Sequence, residues 1–166
     1  MKRLLVTTAI TVVSAAPSPK ALYKALLKSP VAGVKPAAVQ PGSNSSRHHV
    51  VGEVEIDFGG GGTRIVYGVF PTRADAVADL ADGVASLKNV HGISKIAKSV
   101  PGLPKPSVLV DVLQNGLGVT QVTFVKGNVV SVAQSIKPKA KSGDEKVATS
   151  VAQLALRHLK SVEKNA

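Results

Sequence analysis

The sequence predicts an α+β domain: an antiparallel sheet of about five strands, in the order ββα-βββα, packed against two or three helices. Three observations carry this. Strand-length apolar segments fall in two groups, 49–58 with 63–70, and 107–113 with 119–125 and 129–136. Within each group the connections are short and turn-rich, so neighbouring strands pair antiparallel. Each group is followed by a segment of helical apolar spacing that opens on a capping sequence. The apolar sheet face and the apolar helix stripes then need each other for burial.

The chain opens MKRLLVTTAITVVSAAPSPK. Lys2 and Arg3 make a positive n-region, Leu4 to Val13 an uncharged run, and Ser14-Ala15-Ala16 a small-residue site. This is the layout of a secretory signal peptide, with cleavage expected after Ala15. The run is short of the ~20 residues that span a bilayer. The expected organisation is a signal peptide over 1–15, an N-terminal helix and Pro/Gly-rich linker over 16–46, and one α+β domain over 47–166. The expected location is secreted or extracytoplasmic, with no lipid-bearing cysteine because the chain has none.

The helix of the second segment is SPKALYKALLK, where Leu22, Ala25 and Leu26 share a face. Pro30, Pro36 and Pro41 with Gly33 and Gly42 then read as an extended linker. Over 49–58, Val50, Gly52, Val54, Ile56 and Phe58 alternate with Val51, Glu53, Glu55 and Asp57, as in a half-buried strand. Residues 63–70 are apolar on both sides, as for a central strand. Pro71 ends that strand, and Thr72 with Asp75 forms a capping box for a helix to about Leu87. Ile93, Ile96, Ala97 and Val100 have helical spacing, which predicts a short basic amphipathic helix. Asn115-Gly116 and Lys126-Gly127-Asn128 turn the chain between the last three strands. Ser142-Gly143-Asp144-Glu145 reads as a second capping box, and Ala148, Val151, Leu154, Ala155, Leu159 and Val162 line the closing helix.

Composition narrows the function classes. The chain has 166 residues, 44% hydrophobic and 19% charged, which suits a folded domain with a core. Without cysteine the fold stands on packing. The net charge is +11, and loss of Lys2 and Arg3 leaves it strongly basic. Such a charge favours anionic partners. For an exported chain these are wall polymers and lipid surfaces. Nucleic acid is disfavoured, because aromatics are 3% of residues and stacking platforms need them exposed.

No catalytic constellation emerges. Gly59-Gly60-Gly61-Gly62 precede Thr63-Arg64 and a strand, whereas a phosphate cradle needs Gly-Lys-Ser/Thr and a helix N-terminus. They read as a hairpin tip. His48 and His49 point to opposite sides of a strand, while His91 and His158 lie far along the chain. Asp75, Asp79 and Asp82 share a helix face that reads as solvated. No Gly-x-Ser-x-Gly elbow is present. No cofactor or metal is expected.

Two sets of residues are candidates for binding. Lys137, Lys139 and Lys141 with Arg157 and Lys160 are candidates for an anion-binding surface. Ile93, Ile96 and Val100 are candidates for an apolar groove or lid. The expectation is a secreted, non-catalytic binding or interaction module for anionic envelope components. The alternatives are a carrier of small apolar ligands, or an enzyme with an unrecognised site using His91 or the aspartates.

VVGEVEIDF, IVYGVFPTRADAVADL and VTFVKGNVVSVAQS, followed by a closing helix, resemble small exported actinobacterial proteins of unknown function. The resemblance covers about residues 20–163 and rests on structural motifs, so it implies no site residues. A looser likeness to the PsbP/Mog1 type of α+β domain implies a helix-backed antiparallel sheet that serves binding.

Overall fold

A computed structural model describes residues 16–39, 49–60 and 62–166. The expected signal peptide and His48 lie outside these residues. The elements are α1 (Pro19–Lys28), β1 (Ala37–Val39), β2 (Gly52–Asp57), β3 (Thr63–Val69), α2 (Arg73–Ser86), β4 (Ile93–Lys98), β5 (Ser107–Gln114), β6 (Leu117–Lys126), β7 (Val129–Pro138) and α3 (Glu145–Asn165). The strands form one seven-stranded sheet in the order β1-β2-β3-β7-β6-β5-β4, with every neighbouring pair antiparallel. The α+β class and the antiparallel sheet stand as expected.

The sheet has two strands more than the pattern predicts. β1 lies in the stretch expected to be linker and pairs with β2. It is three residues long, with no alternation to announce it. β4 replaces the amphipathic helix expected near 92–100. Its register shifts between Ile93 and Lys95, so Ile93 faces Val112 and Ile96 faces Val110. A bulge adds one residue to a period of two and gives the spacing of three that imitates a helix. Within 16–39, α1 packs on the domain, since Leu22 and Leu26 are buried in the main core.

Helices cover both sheet faces. α1 and α3 pack on one face over Val54, Ile56, Ile65, Tyr67, Val122, Phe124 and Ala133. α3 presents Ala148, Ala152 and Ala155 to the sheet, all fully buried, and these small side chains let it lie close. Gly52 serves the same end for α1: a side chain there would collide with the ring of Tyr23. On the other face α2 closes a smaller core of Phe70, Ala76, Leu80, Val108, Val110, Val125 and Val130.

The local signals act largely as predicted. Thr72 and Asp75 form a reciprocal capping box at the start of α2. Asn115 (φ 51°) and Gly116 (φ 75°) make the two-residue turn of the β5–β6 hairpin. α3 is capped differently from the Ser142–Glu145 box: Asp144 is the N-cap and accepts from the Val147 N–H at 3.1 Å. Gly59 and Gly60, with φ of 84° and 66°, form the tip between β2 and β3. The Gly59 N–H donates to the Asp57 carboxylate at 2.8 Å. That tip is a hairpin loop and opens no helix.

Candidate functional site

Charge is distributed unequally across the sheet. On the outer faces of α1 and α3, Lys20, Lys24, Lys28, Lys146, Arg157, Lys160 and Lys164 are all exposed. The acids on that side are engaged. Asp144 pairs with Lys137 at 3.0 Å, Glu145 with Lys95 at 2.6 Å, and Glu163 with Lys126. Asp111 is buried and accepts from the Thr120 hydroxyl at 2.5 Å. The Val147 N–H and the Lys137 ammonium hold the Asp144 carboxyl below the usual range. The hydrogen bond to Glu145 raises Lys95. These acids neutralise cations at the edges of the layer, and among the described residues no ion pair engages the stripe along α1 and α3.

The sequence-predicted cations lie on this side but do not converge. Lys137 is tied to the cap of α3, and Lys139 and Lys141 are exposed in the connection that follows β7. Arg157 lies about 18 Å further along the helix, at 1.5 Å rise per residue. Lys137, Lys139 and Lys141 precede α3 and lie outside the helical stripe, while Arg157 and Lys160 belong to it, as do the three lysines of α1. That contribution went unread because the α1 lysines are remote in sequence. The spacing of four among Lys20, Lys24 and Lys28 was its visible signal.

Ile93, Ile96 and Val100 take three different environments. Ile93 packs into the α2 core, Ile96 is 47% exposed on the edge strand, and Val100 is buried with the α3 core. A more apolar depression, of about 400 Å³, lies beside them between α2 and the start of β5. Val77, Leu80, Val84, Pro106 and Val108 line it.

The opposite face holds a second feature. α2 covers only part of the sheet, and a groove of about 360 Å³ runs between its flank and strands β2, β3, β7 and β6. Val66, Gly68, Val130 and Val132 form an apolar floor. Asp79, Asp82, Gly83 and Ser86 of α2 form one wall. Asp75, read with Asp79 and Asp82 as one solvated face, is separated from them by its role in the cap.

A row of side-chain hydrogen bonds crosses the groove. Arg64 donates to Glu55 at 3.3 Å and through Nε to Gln134 at 2.5 Å. Gln134 donates to Gln121 at 2.7 Å, and Gln121 donates to the Thr123 hydroxyl at 3.1 Å. Register explains the row: Arg64 lies opposite Gln134, and Gln134 opposite Gln121. Glu53 enters from β2 and is 5% exposed.

A comparison with protein-family models finds no match, and one with curated proteins finds none either. Among solved structures, the chain is similar to the extracellular domain of PknH from Mycobacterium tuberculosis. Identity is 19% and the TM-score 0.42, over 68% of this chain and 63% of that domain. The chain thus spans under two thirds of the domain it matches.

His158 and Tyr67 form the other polar cluster. The rings stand 5.7 Å apart between centroids, with Nδ1 of His158 3.0 Å from the Tyr67 hydroxyl. Nε2 lies 3.1 Å from the Ser29 carbonyl oxygen. Burial pushes the tyrosine up and the histidine down in pKa. The pair ties α3 to β3 and to the end of α1, and lines neither the groove nor the depression. Among the described residues no group of three or more His, Asp or Glu could hold a metal ion, and no helix is long and apolar enough to cross a membrane.

Proposed function

We propose that this chain is an exported, non-catalytic binding module whose α1–α3 face docks on an anionic surface of the cell envelope. The supporting observation is the stripe of seven exposed cations on those two helices, in no ion pair among the described residues, beside acids that are already paired or buried. Lysines on a rigid helical layer present charge over an area, which suits a repeating or planar polyanion. The stripe meets its partner through solvent, so its attraction decays with ionic strength.

The test is sedimentation with vesicles. The protein should co-sediment with phosphatidylglycerol-containing vesicles at low salt, stay in solution with pure phosphatidylcholine, and be released by about 0.5 M salt, where screening is nearly complete. Retention by a soluble anionic wall polymer in place of vesicles would assign the polymer. Equal retention on neutral and anionic vesicles would refute the reading. The depression beside α2 supports a second, narrower reading, a carrier of small apolar molecules, which native mass spectrometry of the purified protein tests by a co-purified mass.

A further inference from the structure

We infer that the groove between α2 and the sheet is a binding site for an uncharged saccharide. Its volume, about 360 Å³, lies at the small end of ligand pockets. Its chemistry mixes two elements that a sugar ring requires together. The floor, where Val66, Gly68 and Val132 are half-buried, offers an apolar strip to the C–H face of a ring. The polar row beside it offers both donors and acceptors to hydroxyls. Each glutamine amide carries a second N–H beyond the bond it makes along the row, and Arg64 has further N–H groups. Their mutual bonds fix their orientation, so a ligand meets donors already ordered.

Other ligand classes fit less well. Among the described residues lining the groove the cation is Arg64, whose guanidinium Glu55 and Gln134 already engage, so an anion finds little to bind it. A nucleobase would need an exposed ring to stack on, and Phe70, the aromatic at the groove, is 1% exposed. An added peptide strand would need a free sheet edge, yet the floor strands β3, β7 and β6 are each paired on both sides. A hydrocarbon would leave the remaining N–H groups of the glutamines and Arg64 without partners.

Geometry gives a clean test. Gly83 sits on the wall of the groove, in α2, with nothing within 4 Å of where a side chain would begin. Gly83→Leu would therefore fill the groove without entering the core, and it replaces glycine in a helix, so the fold is retained. Maltose and N,N′-diacetylchitobiose would be titrated into ¹⁵N-labelled protein, with glucose 6-phosphate as the anionic control. The expected result is that at least one neutral disaccharide shifts the side-chain amide signals of Gln121 and Gln134 and the Gly68 N–H. That binding should weaken at least tenfold in Gly83→Leu and in Gln134→Ala. The inference is overturned if both disaccharides leave those signals unmoved, if shifts appear only on α1 and α3, if glucose 6-phosphate binds more tightly, or if Gly83→Leu binds as the parent does. The outcome is independent of vesicle docking, which uses the other face.

Discussion

The Tyr67 hydroxyl lies 3.0 Å from Nδ1 of His158, and the same imidazole reaches the Ser29 carbonyl with Nε2 at 3.1 Å. One side chain of α3 thereby fixes a central strand and the end of the first helix. With Nε2–H donating to Ser29, Nδ1 is left as the acceptor for the tyrosine hydroxyl. The Ala155 carbonyl, 3.2 Å away, is a second acceptor for that hydroxyl.

This pair predicts a pH dependence. Burial holds His158 below its ordinary value of 6.5, against the pull of Ser29. The unfolded chain therefore takes up a proton at a pH where the folded one does not. The stabilisation is complete above about pH 6.5 and is lost as pH falls through the depressed folded value. Urea unfolding between pH 8 and 5 should show stability declining toward acid, and His158→Gln should flatten that decline.

Tyr67→Phe removes the hydroxyl and leaves the buried Nδ1 without its partner. The expected cost is about 1–3 kcal/mol, the range for an orphaned buried polar group. Denaturant midpoints at pH 7.5 would measure it. An unchanged midpoint would show that the hydroxyl contributes nothing net.

The alanine seam of α3 predicts a steric sensitivity. Ala152 is fully buried against the sheet. Ala152→Leu should lower stability by about 1–3 kcal/mol through overpacking, despite leucine's good helix propensity. The same change at exposed Gln153 should be nearly silent in a thermal melt.

Gly60 at the β2–β3 tip has φ of 66° and open space around it. Gly60→Ala should cost about 1 kcal/mol from the left-handed backbone and leave vesicle binding unchanged. Abolished binding with an intact fold would return the glycine loop to the list of anion sites.

The double variant Arg157→Glu with Lys160→Glu places opposite charge in the middle of the basic stripe. Both residues are exposed. Binding to anionic vesicles should fall at least tenfold at low salt, and its salt dependence should become shallower. Circular dichroism would verify that α3 persists.

Most of the scaffold was legible because its signals are local. Strands β2 and β3, the three C-terminal strands, the Thr72–Asp75 cap and the Asn115-Gly116 turn each announce themselves within a few residues. β4 was not legible for a physical reason. As an edge strand with a bulge, it needs neither strict alternation nor continuous apolarity, and Ile93 and Ile96 fall three apart on one face. The polar row was hidden differently. Arg64, Gln121 and Gln134 are single polar residues on three strands, joined by register, and Arg64 comes from far earlier in the sequence. The β6–β7 pairing brings Gln121 to Gln134, and the β3–β7 pairing brings Arg64 to the pair. The basic stripe is half legible, since Arg157 and Lys160 fall on one helix while Lys20, Lys24 and Lys28 lie far upstream in the sequence.

The β3–β7 junction also sets an order of events. It pairs residues 63–69 with 129–135, and it joins the two halves of the sheet. A chain delivered N-terminus first, from a ribosome or through a narrow pore, can form the β2–β3 hairpin early. It has nothing to close that hairpin's apolar second side until β7 has emerged. Contacts so distant in sequence slow folding. The half-built sheet would be held open while residues 70–129 emerge, and that interval is when a chaperone finds an unfolded substrate to work on.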